Sequence, residues 1–134
     1  MEISAGLVLI HNNKILLVHP TNGKWVGTYS IPKGHVEKNE DYLAAAIRET
    51  QEEVGLIIEP EKNNYLGKGH INYKDEEGNT YKRVYYFVYE LLRYPVLNKN
   101  KFQIEEVDWA GFLDKIEARK RIFWRLEPLL KYLK

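Results

Sequence analysis

The stretch from Asn39 to Gly55 constrains this chain more than any other. Leu43, Ile47, Thr50 and Val54 recur at spacings of four, three and four, which puts them on one face of a helix. Asn39 is placed to cap that helix, Glu40 and Asp41 fall in a first turn where negative charge suits the dipole, and Gly55 ends it. At about 100° per residue the apolar stripe keeps within about 30° of one direction. Glu49, Glu52 and Glu53 then fall on a face roughly 145° away, with Ala45 and Ala46 expected beside them.

Acid is dense here, with Glu37, Glu40, Asp41, Glu49, Glu52 and Glu53 close together in sequence. A solvated helix face is the ordinary explanation of such a cluster. Against it, carboxylates at i, i+3 and i+4 repel by a few tenths of a kcal/mol per pair, and mixed charge would serve solubility better. A divalent cation removes the conflict. Oxygen donors without sulfur or imidazole favour a hard ion, Mg²⁺ or Mn²⁺, and Mg²⁺ is usually held by one or two carboxylates together with substrate phosphates. Small side chains at Ala45 and Ala46 would leave space for a bulky anion beside the metal.

The remaining sequence describes the scaffold. Its 134 residues leave room for one domain with one modest core, expected to span 1–134. There are no cysteines, which excludes disulfides and thiolate metal sites. No basic leader segment and no apolar run of ~18 residues is visible, so the expected location is the cytoplasm, with no membrane partner. The net charge of +1 argues against a stable nucleic-acid partner.

Residues 3–10 and 15–18 read as strands joined by a turn at 11–14, and 29–31 as a short extended piece before a turn at Lys33-Gly34. Leu56-Ile57-Ile58, 65–73, 80–92 and 107–110 are further candidate strands, with 75–79 as a hairpin loop. The tail from Leu113 to Leu133 is expected to be an amphipathic helix broken at Pro128. The order predicts an α+β fold, α/β/α in layers, with a mixed central sheet and helices on its faces.

Gly34, Glu40 and the run Arg48-Glu49-Thr50-Gln51-Glu52-Glu53-Val54-Gly55-Leu56 resemble the Nudix box, in which Gly-x5-Glu-x7-Arg-Glu-U-x-Glu-Glu-x-Gly-U has U bulky and apolar. Every fixed position matches, and Thr50 departs mildly at a U position. The resemblance implies metal-dependent cleavage of a diphosphate linkage in a small nucleotide-type substrate, with Mg²⁺ or Mn²⁺ as cofactor. By position, it implies Glu49, Glu52, Glu53, Gly34 and the backbone carbonyl of Lys33 at the metal. Glu49 and Glu53 would be catalytic, Arg48 would orient Glu49, and Glu40 would support the loop or an outer metal. Family members often place a further glutamate where this chain has Gln103. Glu105 or Glu106 could stand in.

Lys33-Gly34-His35-Val36-Glu37 with the Arg-Glu-Thr-Gln-Glu-Glu run resembles the asymmetric diadenosine tetraphosphate hydrolases. That likeness implies cleavage to ATP and AMP, with polyphosphate contacts from Lys33, His35 and Lys82 and base stacking by Tyr73 or Tyr85. Alternating tyrosines in a hairpin also serve as cross-strand packing. An NTP pyrophosphatase, an ADP-ribose hydrolase, an RNA 5′-end pyrophosphohydrolase and a non-catalytic binding module remain the alternatives.

Overall fold

A computed structural model describes all 134 residues. Its first strand, β1 (Glu2–His11), is buried from Ser4 to Ile10 on both faces. Ala5, Leu7 and Leu9 point to one side, and Val8 and Ile10 to the other. A continuous apolar run of this kind belongs in the centre of a sheet covered on both sides.

Asn12 and Asn13, both with positive φ (49° and 57°), turn the chain tightly into β2 (Lys14–Pro20). Two consecutive left-handed residues make the hairpin turn whose twist suits the strands, and Asn tolerates that conformation. The hairpin β4 (Asn64–Lys74) and β5 (Thr80–Glu90) closes through 75–79, where Asp75 Oδ1 accepts the amides of Glu77 and Asn79. Strand β5 runs parallel to β1, and β6 (Val107–Leu113) runs antiparallel to β2. The sheet order is β4-β5-β1-β2-β6, with the short β3 (Lys33–His35) pairing antiparallel to β1.

Helix α1 (Tyr42–Val54) covers one face through Ala45, Ala46 and Val54 against Ala5, Leu7 and Leu16. The other face is covered by α2 (Lys115–Arg121) and a 3-10 segment over 124–132, through Ala118, Ile122, Leu126, Leu129 and Leu130. Each fully buried leucine contributes about 1.5–3 kcal/mol relative to exposure, so these two layers fix which side of the sheet each strand residue faces. The result is the expected α+β architecture, a mixed sheet with helical layers on both faces.

Several local expectations need correction. Asn39 does not cap α1; it sits at φ 64°, and Asp41 accepts the Ala44 amide instead at 3.2 Å. Glu40 and Asp41 therefore precede the helix. Gly55 does end it, in the left-handed conformation at φ 74°, with its amide donating to the Gln51 carbonyl. Ala45 and Ala46 are fully buried against the sheet, so they make no space for an anion. Leu43 and Ile47 are only half-buried, which shows that the core-facing direction of α1 is rotated toward Ala46 and Thr50.

Lys33-Gly34 is strand, not turn. Leu56-Ile57-Ile58 pairs with no strand, although its outer residues are buried while Ile57 is 68% exposed. In the tail, Leu113 ends β6 and the helix break falls at Ile122-Phe123. Pro128 lies inside the 3-10 segment and does not end it.

Candidate functional site

Glu49 and Glu53 are one turn apart on α1, and both meet β3. The Glu49 carboxyl group occupies the space a Cβ on Gly34 would need, so glycine there is a matter of room. Glu53 is only 7% exposed, and its Oε1 accepts the Lys33 amide at 3.2 Å. The sequence pattern puts Glu53 on the outer face. The structure turns it inward, because α1 docks on its alanines and carries Glu53 to the sheet edge. Burial pushes the Glu53 carboxyl up to about 8, with the nearby Lys33 charge offsetting and those of Glu49 and Glu106 adding. Burial also raises Glu49. The Lys33 ammonium is lowered to about 8 by burial and by Lys82 beside it.

Arg48 organises the outer side of these carboxylates. Its Nε and Nη2 donate to both oxygens of Glu40 at 2.8 and 2.9 Å, Nη1 donates to Glu49 at 2.9 Å and to Glu52 at 3.2 Å, and Nη2 also reaches the His35 carbonyl at 3.0 Å. A planar fork engaging a carboxylate with two bonds is the strong form of such a pair. These bonds hold Glu40 at about 2, well below its ordinary 4.5, while the Glu37 amide adds a further contact.

A depressed carboxylate contributes stability that is complete above its unfolded value and is lost as pH falls through the folded one. The thermal midpoint of Glu40→Gln should therefore lie below that of the parent above pH 4.5, with the gap closing between 4.5 and about 2. A gap unchanged down to pH 2 would mean that the charge on Glu40 does not matter to the fold.

A cleft of about 520 Å³ opens beside Glu53. Lys33, Glu53 and Glu106 line it together with Lys82, Tyr73 and Phe123. Tyr73 is a core residue whose ring faces Lys82 at 5.4 Å and Arg125 at 5.3 Å. His35 and Tyr85 lie elsewhere. His35 is 74% exposed, with Nε2 3.3 Å from Glu2. Tyr85 stacks on Tyr42 at 4.2 Å, on the α1 side of the sheet. Gln103 is exposed, its amide donating to the Glu53 carbonyl at 2.9 Å, while Glu106 reaches the cleft. Sequence left Glu105 and Glu106 as equals, since the alternation that separates them starts only at Val107.

The donor set fits a hard divalent cation. It offers carboxylate and carbonyl oxygens only, and Glu53 is a buried carboxylate without a full counter-charge. As the side chains stand, no three carboxylates converge on one point, and Glu52 is turned out to Arg48. Gathering Glu49, Glu52 and Glu53 round one ion requires Glu52 to leave that contact.

Sheet, covering layers and the acid-bearing helix at the sheet edge define a three-layer α+β protein with a carboxylate-lined cleft. The chain belongs to the Nudix family, its residues 2–133 matching the NUDIX domain model. It is 38% identical over 60 residues to an ADP-ribose pyrophosphatase of Methanocaldococcus jannaschii, a match covering 45% of this chain and 34% of that one. The chain thus aligns with about a third of that relative's length.

Among solved structures, a C. elegans Ap4A hydrolase binary complex superposes with a TM-score of 0.74 at 23% identity, covering 98% of this chain and 93% of that one. The E. coli dihydroneopterin triphosphate pyrophosphohydrolase gives 0.71 at 18%, covering 97% and 92%. These likenesses establish the Nudix fold. No helix is long and apolar enough to cross a membrane.

Proposed function

We propose that this protein hydrolyses a diphosphate linkage in a small nucleotide-type substrate, and that diadenosine tetraphosphate, cut asymmetrically to ATP and AMP, is the preferred one. The observation that carries the reading is the seating of Glu49 against Gly34 and of Glu53 against Lys33, with Lys33 and Glu53 lining a cleft that Lys82 and Tyr73 also line. Glu49, Glu52 and Glu53, with the Lys33 carbonyl beside Gly34, would hold Mg²⁺ or Mn²⁺. Such an ion, when bound, neutralises phosphate charge and acidifies a water.

The protein's own groups do the rest. Glu49 or Glu53 takes the proton from the attacking water, a carboxylate being a competent base once the bound ion keeps it ionised. Arg48 fixes the rotamer of Glu49 through the 2.9 Å bond and ties it to Glu40. Lys33 and Lys82 offer cations to phosphate oxygens, and Tyr73, which lines the same cleft, would meet the nucleoside there. His35 and Tyr85 contact the substrate only if it extends beyond this cleft.

The likeness of the Lys33–Glu37 segment to diadenosine tetraphosphate hydrolases supports the substrate. A second reading, ADP-ribose, is favoured by the 38% identity to the M. jannaschii protein. A panel of dinucleoside polyphosphates, nucleoside triphosphates and ADP-ribose with Mg²⁺ separates them. Diadenosine tetraphosphate should be turned over fastest, and ¹⁸O from labelled water should appear in AMP, because the fixed nucleoside sets which phosphorus faces the carboxylates. Turnover no faster than that of ATP or ADP-ribose overturns the substrate and leaves the diphosphate chemistry standing.

A further inference from the structure

His19, near the end of β2, is 2% exposed and lies outside the cleft lining. Both ring nitrogens face oxygen: Nδ1 is 2.5 Å from Asp108 Oδ1, and Nε2 is 3.1 and 3.0 Å from the carbonyls of Gly23 and Lys24. The indole of Trp25 lies parallel on the imidazole at 4.2 Å. A buried ring held by oxygens at both edges and by an indole on its face is expensive to disturb, so this one fixes whatever it joins.

What it joins is two segments beside the carboxylates. Two residues on, the Thr21 amide donates to the Glu106 carbonyl at 3.0 Å, and Thr21 Oγ1 donates to the Ile104 carbonyl at 2.6 Å. The His19 ring and the Thr21 amide and hydroxyl thus reach across to Asp108, Glu106 and Ile104. The β2–β6 ladder pairs His19 with Trp109 and, after a register shift, Pro20 with Val107, so it stops at Val107 and leaves 104–106 to these tethers and to the Gln103 amide bond to the Glu53 carbonyl. Glu106 hangs between the tethers at Ile104 and Asp108, with its side chain lining the cleft beside Glu53.

We propose that His19 and Asp108 are positioning residues that hold segment 103–108 so that the Glu106 carboxylate stays beside Glu53. The proposal rests on the hydrolytic reading above and adds residues outside the family motif. A carboxylate displaced by an ångström in such a site loses much of its effect on the reaction.

Asp108→Ala should lower kcat on the best substrate of the panel about tenfold or more with KM little changed, and Asp108→Asn, which can still bond the imidazole, should restore most of it. Glu106→Gln alone should lower kcat as well. Adding Asp108→Ala to Glu106→Gln should then cost nothing further, since the effect passes through Glu106.

In the metal-free protein, amide exchange at Thr21 should quicken about tenfold or more in Asp108→Ala while Leu7 and Val8 stay protected. A full additional loss in the double variant, or unchanged Thr21 exchange, overturns the proposal. If the parent hydrolyses nothing on the panel, the functional reading fails by itself, and the exchange experiment still decides whether His19 and Asp108 hold the segment.

Discussion

Glu53→Gln is expected to lower kcat about 100-fold or more, because in the proposed reaction it removes an anionic oxygen that would hold the cation or take the proton from water. The same change should leave the fold intact. Glu53 is buried with its carboxyl raised to about 8, so its charged form is disfavoured in the folded protein. Stability without metal should then fall as pH rises from 4.5 towards 8, a loss that the neutral amide avoids. Gln retains an oxygen for the Lys33 amide and relieves repulsion from Glu49 and Glu106.

The expected pair of results is therefore a nearly inactive enzyme with a thermal midpoint equal to or above that of the parent at pH 8. A variant that unfolds but keeps its activity per folded molecule would make Glu53 a structural residue.

Much of this was legible in the residues because the relevant signals are local. The helix end at Gly55, the hairpins at Asn12-Asn13 and 75–79, and the strands of the central sheet all depend on turn chemistry or short-range patterning. The spacing of Glu49, Glu52 and Glu53 is likewise local, and it pointed to a site before any geometry was known.

What failed to read through was set by packing. The rotation of α1 is decided by how closely Ala45 and Ala46 approach β1, and that approach buries Glu53 and leaves Leu43 and Ile47 half-covered. Apolar spacing alone cannot report it, since alanine contributes little to a stripe. Strand β3 was invisible because three residues with a central glycine have no β signature; only pairing with Ser4–Gly6 makes them a strand.

The site splits along the same line. Arg48 reaches Glu40, Glu49 and Glu52, and of these the i+4 neighbour Glu52 is predictable from helix geometry. The Glu40 bond depends on how the loop before α1 folds back. His19, Asp108 and Trp25 gave no motif at all, since they are far apart in sequence or sit in a loop. A signal existed only in the oddity of a histidine within an otherwise apolar strand. Tyr73 and Tyr85 looked equivalent in a tyrosine-rich hairpin, and the sheet puts them on opposite faces.

Turnover is expected to depend entirely on a divalent cation. Glu49, Glu53 and Glu106 bring carboxylates together, and the cations beside them are Arg48, shared between Glu40 and Glu49, and the adjoining Lys33 and Lys82, of which Lys33 is lowered to about 8. Polyphosphate would add still more negative charge to that cleft, which the chain alone does not balance.

The direct measurement is hydrolysis of diadenosine tetraphosphate, with the rest of the panel alongside, first in excess chelator and then after restoring Mg²⁺ or Mn²⁺. Turnover should fall to background in chelator and recover in full with metal, whereas Glu53→Gln should stay nearly inactive in both. Undiminished turnover in excess chelator would contradict the dependence on metal.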